Sequence, residues 1–337
     1  MQTLLLTWWL WYIGSHNAVL FIQEWYDVII FDNLSNSDKD TLNNIEKITW
    51  KLVNFYKWDL RNFLDIQRVF SENKIDSVLH FAGAKAVWES CDEPFYYYEN
   101  NILWSLNLFQ TMQKYWVKNI VFSSSANVYG PEWNSPFSET HAVGNTSNPY
   151  GTTKYIIERL LRDLHNHHWF NVMCLRYFNP IWAHDSGLIW EHANQKLGNI
   201  LPFLLKVANN EQEYIEVYGD DYNTPDGTGV RDYIHVMDLA TWHLAWLHYL
   251  EKNTKIFEIV NLWTGKWTSV LELIDYVRDI SWHSVPQKIV GRRDIDIAEA
   301  YCSTKKSKNL LWWEAKKTVH EAVKDSWNFI KTSEIWK

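Results

Sequence analysis

The chain has 337 residues, and its 40 acidic and 32 basic side chains give a formal net charge of −8. This length is sufficient for one large α/β unit or two domains, and the acidic balance argues against a role in binding nucleic acid or membrane surfaces. The three scattered cysteines form neither a disulfide framework nor a zinc motif, and we expect a reduced, cytoplasmic protein without a signal peptide or a membrane span.

The first part of the chain reads as strand, helix, strand. Leu4–Thr7 and "DVIIFD" (27–32) are short apolar runs, and "SHNAVLFIQEWY" between them has apolar residues at helical spacing. A helix that joins two such strands indicates a parallel sheet. Further strands, separated by helical segments, are predicted at 51–57, 77–83, 119–125 and 171–179. This alternation predicts an α/β fold with a doubly wound, Rossmann-type parallel sheet.

The character of the chain changes after Pro180. Polar and charged stretches such as 220–233 and 290–301 become frequent, which is typical of loops. We therefore expect a first domain over residues 1–179, to which some later segments return. A smaller C-terminal α/β domain is expected over residues 180–337.

A glycine-poor loop follows the first predicted strand. A dinucleotide-binding loop needs glycines for a tight turn, for close approach to the pyrophosphate and for helix–strand packing, and the pyrophosphate then lies at the helix N-terminus. In "TWWLWYIG", Trp8 and Trp11 stand at the spacing of two such glycines and Gly14 at the third. Taken literally, the stretch is an aromatic-rich core turn. With glycine at both tryptophans, it is a nucleotide loop.

Asp32 ends the second predicted strand, 18 residues after Gly14. An acid at this position accepts hydrogen bonds from the adenosine ribose hydroxyls and favours NAD over NADP. A lone aspartate at a strand end is also typical of a helix cap or a turn. The following residues, "DNLSNS" (32–37), add more polar side chains.

Tyr150 and Lys154 are four residues apart and share one face of a predicted helix. An ammonium beside a phenol favours the phenolate, so we expect a lowered Tyr150 pKa and a role as acid or base. Ser125, at the end of a predicted strand, is placed to share the proton of a substrate hydroxyl. With 18 tyrosines in the chain, this spacing alone is a weak signal. The strand carrying Ser125 and the strand–helix–strand start strengthen it.

A set of polar residues late in the chain can be assigned a binding role only if the chain matches a known family. Arginine suits bidentate recognition of phosphate. The candidates are Asn179, Asn199, Arg231, Arg293 and Asp296. The 13 histidines show no metal spacing, so no metal site is predicted, and we interpret His80, His184 and His235 as structural.

With these residues in view, the chain resembles the UDP-glucose 4-epimerases, a family of extended short-chain dehydrogenases/reductases, nearly from end to end. Related sugar-nucleotide 4,6-dehydratases carry a Thr-Asp-Glu type triplet where this chain has Ser123-Ser124-Ser125, so the resemblance favours epimerisation. The segments that carry it include "YIGSH" (12–16), "HFAGAKAVWES" (80–90), "SSSANVYG" (123–130), "NPYGTTK" (148–154), "DGTGVRDYIHVMDLA" (226–240) and "GRRDIDIAEAY" (291–301).

The resemblance implies a homodimeric enzyme that inverts C4 of a UDP-hexose through a 4-keto sugar, with tightly held NAD. Tyr150, Lys154 and Ser125 would be the catalytic residues. The implied NAD site comprises Trp8, Trp11, Tyr12, Ile13, Gly14, Asp32, Asn33, Asn36, Ser37, Asp59, Leu60, Phe81, Ala82, Gly83, Lys85, Asn100, Ser125, Tyr150, Lys154 and Phe178. Asn179, Asn199, Arg231, Arg293 and Asp296 would hold UDP.

Ala300 stands where the family places a residue that contacts the hexose. Its small side chain leaves room for a 2-acetamido group, so we expect UDP-GlcNAc and UDP-GalNAc also to be accepted. The motifs leave open an epimerase of the same family that acts on a uronate or pentose.

The departures from the family follow one rule, tryptophan in place of glycine. The chain has 22 tryptophans and 12 glycines, although average usage would give about 24 glycines. We hypothesise that these positions are UGA codons read as glycine. If the tryptophans are real, indoles fill the pyrophosphate site and overpack the core, and the alternative is an inactive NAD-fold or scaffold protein. The clearest positions are Trp8, Trp9, Trp11, Trp25, Trp58, Trp88, Trp104, Trp182, Trp190, Trp242, Trp263, Trp267 and Trp312.

Overall fold

A computed structural model describes residues 1–7, 12–35, 37, 39–181, 183–190, 199–293 and 296–332. The predicted positions Trp8, Trp9, Trp11, Asn36 and Trp182 lie outside the described residues. The chain forms two compact units. The first comprises residues 1–133, 139–177 and 240–261, and the second comprises residues 134–138, 178–239 and 262–337.

A seven-stranded sheet forms the centre of the first unit. Its order is β3-β2-β1-β4-β5-β6-β11, and every neighbouring pair is parallel. This confirms the predicted doubly wound parallel sheet. The strands are β1 (Thr3–Thr7), β2 (Asp27–Phe31), β3 (Asn54–Tyr56), β4 (Ser77–His80), β5 (Asn119–Ser125), β6 (Asn171–Tyr177) and β11 (Phe257–Asn261).

Helices connect these strands. They are α1 (Tyr12–Gln23), α2 (Lys39–Thr49), α3 (Phe63–Glu72), α4 (Val87–Asp92), α5 (Pro94–Tyr97), α6 (Trp104–Lys114), α7 (Pro149–His168) and α9 (Val236–Lys252), with a π-helix (Tyr98–Leu103) and a 3₁₀ turn (Ala126–Val128). Leu5, Val78, Ile120 and Val172 lie on four different strands and belong to one buried cluster. Strands of a covered parallel sheet are buried on both faces, which explains their nearly continuous apolar sequences.

Several predicted boundaries are wrong. The strands predicted over 51–57 and 77–83 are shorter, namely β3 (Asn54–Tyr56) and β4 (Ser77–His80). The helix predicted over residues 15–26 begins at Tyr12 and ends at Gln23. The strand predicted over 171–179 ends at Tyr177, and Asn179–Ile181 forms a separate strand, β7, that belongs to the second unit. Strand β11 was not predicted.

The second unit contains three small sheets. β10 pairs with β7, β9 lies between β12 and β14, and β13 pairs with β8. The remaining strands are β8 (Ile215–Tyr218), β9 (Val230–Arg231), β10 (Tyr233–His235), β12 (Thr268–Ser269), β13 (Gln287–Val290) and β14 (Glu299–Ala300). The helices are α8 (Ile200–Ala208), α10 (Val270–Ser281), α11 (Lys305–Leu311) and α12 (Val319–Thr332). Apolar faces of α8, α10 and α12 share one buried cluster. Within the described ranges, no helix is long and apolar enough to cross a membrane.

Candidate active site

Ser125 is the last residue of β5, where the chain enters the 3₁₀ turn. Its Oγ accepts hydrogen bonds from the backbone N–H of Asn127 at 3.2 Å and from Nδ2 of Asn127 at 3.1 Å. Ser125 also lowers the pKa of the Tyr150 phenol, so its hydroxyl lies beside that ring's oxygen.

Helix α7 carries Tyr150 in its first turn. The side chain of Asn148 caps the helix by accepting the N–H of Gly151 at 2.8 Å, and Pro149 occupies the first helical position. A Cβ on Gly151 would stand 2.2 Å from the carbonyl oxygen of Asn127. Only glycine therefore lets α7 come this close to the turn after Ser125, and this approach holds Tyr150 against Ser125.

Burial dominates the proton affinity of Tyr150. Loss of hydration raises the pKa of its phenol to about 12, and the hydrogen bond from Ser125 offsets part of this rise. The expectation that Lys154 lowers the pKa of Tyr150 is wrong for this structure. The Lys154 ammonium donates to the Ser123 carbonyl oxygen at 2.8 Å and lies 5.8 Å from the centroid of the Tyr150 ring.

Lys154 is buried, and its desolvation lowers the pKa of the ammonium to about 7. The loop after β4 packs against it, because a Cβ on Gly83 would lie 3.4 Å from Nζ of Lys154. Asn101 fixes this loop by donating from Nδ2 to the Ala84 carbonyl at 3.0 Å and to Oγ1 of Thr153 at 2.9 Å. The structure thus brings together the predicted positions 83, 125, 150 and 154.

The remaining predicted residues of this region lie on the same elements. Phe81 packs against His243 with ring centroids 5.2 Å apart. Asn100 is buried in the π-helix, a form that often marks functional sites. Ala82 is buried and Lys85 is half-buried.

The sequence analysis missed a buried ion pair one helical turn after Lys154. Glu158, one turn after Lys154, accepts from Nε and Nη2 of Arg176 at 2.9 and 2.7 Å and from Oγ of Ser124 at 2.6 Å. Arg176 also donates from Nη1 to the hydroxyl of Tyr129 at 2.9 Å. The network links β5, β6 and α7. A glutamate on the apolar face of α7 and an arginine inside an apolar strand were the sequence signals that could have revealed it.

Asp32 was predicted to end the second strand and lies directly after β2, with its side chain buried. One carboxylate oxygen accepts the N–H of Leu34 at 2.7 Å and the hydroxyl of Ser37 at 2.8 Å. Asn33 donates from Nδ2 to Asp59 at 3.1 Å. Asp32 and Asn33 line one edge of a pocket, and their polar groups fit the ribose hydroxyls of a dinucleotide.

The apolar side of the same pocket contains two indoles. Its lining consists of Phe31, Asp32, Asn33, Trp58, Leu60 and Trp104. Trp58 packs against Tyr56 at a tilted angle with ring centroids 4.8 Å apart, and Trp104 is buried. Of the predicted residues, Leu60 lines this pocket, and Asp59 adjoins it through its hydrogen bond with Asn33. The two indoles leave little room in the pocket for a nucleoside.

The first turn of α1 supplies the other predicted cofactor positions. Tyr12, Ile13 and Gly14 are all buried there. A helix N-terminus directs free N–H groups towards an anion, which is the arrangement a pyrophosphate requires.

The predicted substrate residues belong to the second unit. Strands β9 and β14 place Arg231 and Ala300 directly opposite each other in parallel register. Arg231 donates to the Val230 carbonyl at 2.8 Å, and Ala300 is buried. Asn179 donates to the Asp232 carbonyl at 3.5 Å, and Asn199 stands at the N-cap of α8. Phe178, predicted beside the cofactor, packs against Trp263 with ring centroids 4.0 Å apart.

Arg293 and Asp296 form a bidentate ion pair. Nε and Nη2 of Arg293 lie 2.7 and 2.9 Å from the two carboxylate oxygens of Asp296. The guanidinium also lies 4.4 Å from the ring centroid of Tyr218, at the end of β8. Sequence analysis did not identify Tyr218. A planar ring beside a guanidinium offers a surface on which a second planar group can stack.

Comparisons with known proteins agree with this geometry. Residues 11–326 match the family model described as GDP-mannose 4,6 dehydratase. The UDP-glucose 4-epimerase of Bacillus subtilis (strain 168) is 45% identical over 94% of both chains. The UDP-glucose 4-epimerase from Bifidobacterium longum, solved in complex with NAD+ and UDP, superposes with a TM-score of 0.94 at 42% identity over 100% of both chains. The UDP-Glc/GlcNAc 4-epimerase from Campylobacter jejuni superposes with a TM-score of 0.85 at 30% identity, covering 99% of this chain and 100% of its own.

Proposed function

The chain belongs to the UDP-glucose 4-epimerase family of short-chain dehydrogenases/reductases, and on this basis we propose that it interconverts UDP-glucose and UDP-galactose with tightly bound NAD. The observation that carries the proposal is the buried cluster of Ser125, Tyr150 and Lys154, in which Ser125 lowers the Tyr150 pKa and Nζ of Lys154 lies 5.8 Å from the Tyr150 ring centroid. The relatives with NAD and UDP bound support the choice of cofactor and substrate.

The side chains divide the acid–base work. Tyr150, as the phenolate, accepts the proton of the sugar 4-hydroxyl, while Ser125 hydrogen-bonds the same oxygen. NAD, when bound, supplies the hydride acceptor and later the hydride donor for C4. Tyr150 then returns the proton to the 4-keto sugar after the hexose has turned, so C4 is inverted. Because burial raises the Tyr150 pKa to about 12, the phenolate requires stabilisation, and Ser125 contributes to it by lowering this pKa.

The polar residues of each unit have separate binding tasks in this proposal. Asp32 and Asn33 hold the adenosine ribose, and the N-terminus of α1 holds the pyrophosphate. Arg231, Arg293, Asp296, Asn179 and Asn199 hold UDP. To bind UDP, the Arg293 guanidinium would exchange part of its contact with Asp296 for a phosphate oxygen or a base edge. Because the guanidinium is exposed, this exchange breaks no buried contact.

Replacing the phenol tests this function. Tyr150→Phe keeps the ring and removes the proton acceptor, so conversion of UDP-galactose is expected to fall about 10²–10⁴-fold. NAD release from the denatured protein should be unchanged. Tyr155→Phe, on the same helix, is the matched control and should retain activity. Full activity of Tyr150→Phe would contradict the assignment.

Substrate panels separate this proposal from its alternatives. A uronate or pentose epimerase of the same family would turn over UDP-glucuronate or a UDP-pentose faster than UDP-galactose. If the tryptophans near the nucleotide pocket are real, an inactive NAD-fold or scaffold protein would show no turnover of any of these and would carry no NAD.

Ala300 sets the proposed sugar range. Its side chain is buried on β14 opposite Arg231, and replacing it with a larger side chain would extend into the space beside the substrate residues. We therefore propose that UDP-GlcNAc and UDP-GalNAc are also substrates. The Campylobacter jejuni relative is a UDP-Glc/GlcNAc 4-epimerase, which supports this range. Ala300→Tyr should abolish turnover of the acetamido sugars and retain that of UDP-galactose, whereas Ala300→Ser should retain both. Equal turnover by Ala300→Tyr would contradict this.

We further propose a cytoplasmic homodimer. The three cysteines, Cys91, Cys174 and Cys302, are all free thiols, which suits a reducing compartment. Dimerisation rests on the family resemblance alone. Sedimentation equilibrium of the purified protein would test it, and a monomeric mass would contradict it.

A further inference from the structure

Six tryptophans adopt a left-handed backbone conformation. Nine residues other than glycine have positive φ in the described part of the chain, and six of these nine are tryptophan. They are Trp25 (66°), Trp50 (55°), Trp116 (61°), Trp169 (59°), Trp282 (60°) and Trp312 (55°). Left-handed conformations are sterically unfavourable for residues with a Cβ and are especially uncommon for bulky ones. Such a concentration in one bulky residue type requires an explanation.

All six follow the C-terminus of a helix. After α1, the Trp25 N–H donates to the Ile22 carbonyl at 3.2 Å, and the next N–H donates to the Phe21 carbonyl at 2.9 Å. After α6, the Trp116 N–H donates to the Gln113 carbonyl at 3.3 Å. These are the bonds of helix C-caps, and glycine is the residue that most often supplies the left-handed position there. The backbone at these positions therefore has the conformation that glycine favours.

The indoles at these six positions gain little from packing. Their exposed fractions range from 71% for Trp169 to 94% for Trp312. The ammonium of Lys51 lies 4.2 Å from the Trp25 ring centroid and that of Lys118 lies 5.1 Å from the Trp116 ring centroid, but cation–π contacts at exposed sites are weak. Trp327 differs, because it lies within helix α12, is buried and belongs to the core of the second unit.

Four of these positions extend the pattern seen in the sequence. Trp25 and Trp312 are among the tryptophans that stand at family glycine positions, whereas Trp50, Trp116, Trp169 and Trp282 are identified by backbone conformation alone. We infer that the source organism reads UGA as glycine, and that the protein made in its cells carries glycine at all six helix ends. The same codon then accounts for Trp58 and Trp104, and glycine at both opens the pocket beside Asp32.

The gene and the native protein test this inference directly. Codons 25, 50, 116, 169, 282 and 312 are expected to be UGA, and codon 327 to be UGG. Peptides from the protein purified from its own cells should have glycine masses at the six positions and a tryptophan mass at 327. UGG codons or tryptophan masses at the six helix ends would overturn the inference. These masses do not depend on activity, so a failed epimerase assay leaves this test intact.

Thermal unfolding gives a second, independent test of the backbone argument. A recombinant chain with tryptophan throughout is compared with one carrying glycine at the six helix ends. Relief of the left-handed strain should raise the Tm by on the order of 5 °C in total. Trp327→Gly is the matched control and should lower the Tm, since it removes a buried side chain from the core. If the six glycines leave the Tm unchanged or lower it, the conformational argument is wrong.

Discussion

The Glu158–Arg176 ion pair gives the sharpest stability prediction. The two side chains are only 4% and 2% exposed, and Glu158 accepts three hydrogen bonds. Glu158→Ala would leave the guanidinium buried with Tyr129 as its partner and without a counter-charge. Breaking a buried pair from one side costs about 3–5 kcal/mol. Set against a total stability of about 5–15 kcal/mol, this is a severe loss.

Urea unfolding of single and double variants measures this cost. Glu158→Ala and Arg176→Met should each reduce the free energy of unfolding by about 3–5 kcal/mol. The double variant Glu158→Leu/Arg176→Met removes both charges and keeps the volume filled, so it should recover most of the loss. The exposed Arg68–Glu72 pair is the control, and Arg68→Ala should leave the unfolding midpoint nearly unchanged.

Two results would refute this reasoning. A cost below about 1 kcal/mol for Glu158→Ala would mean that the pair behaves like a surface salt bridge. A double variant that loses the sum of both single losses would mean that the two side chains contribute independently, with no charge left uncompensated in either single variant.

Three further predictions concern protons and positioning. Burial lowers the Lys154 pKa from 10.5 to about 7. Between these pH values the unfolded chain binds more protons than the folded protein, so the free energy of unfolding rises with pH. Urea unfolding at pH 7 and pH 9 should show this rise for the parent protein and not for Lys154→Met. Burial also lowers the His80 pKa from 6.5 to about 3, so the folded protein loses stability as the pH falls from 6.5 to about 3. Acid unfolding of His80→Gln should therefore begin at lower pH. An unchanged pH midpoint of unfolding would contradict this. Asn127→Ala removes a donor to Ser125, so kcat is expected to fall several-fold with little change in KM, and a change in KM alone would contradict a positioning role.

Much of the parallel sheet could be predicted from sequence, because covered strands are nearly continuous apolar runs. Strands β2, β4, β5 and β6 begin at the predicted residues 27, 77, 119 and 171. β3 is shorter than predicted because it is the edge strand and has one neighbour only. β11, with the sequence "FEIVN", was missed because a five-residue run between helices has no distinctive period.

The candidate site shows where local spacing stops being informative. The four-residue spacing of Tyr150 and Lys154 placed both on one helix face, and the serine run placed Ser125 at a strand end. The direction of the Tyr150 pKa shift could not be predicted, since it depends on burial by residues distant in sequence. The contact of Glu158 with Arg176 joins a helix to a neighbouring strand and leaves no periodic signal.

The position of β11 late in the sequence has a consequence for biosynthesis. Strand β6 pairs with β5 on one side and with β11 on the other, yet residues 178–256 separate β6 from β11 in the chain. While the chain emerges from the ribosome, β6 is an unprotected edge until the whole intervening segment has been made. The first unit therefore completes its sheet only after β11 has been synthesised and has left the exit tunnel.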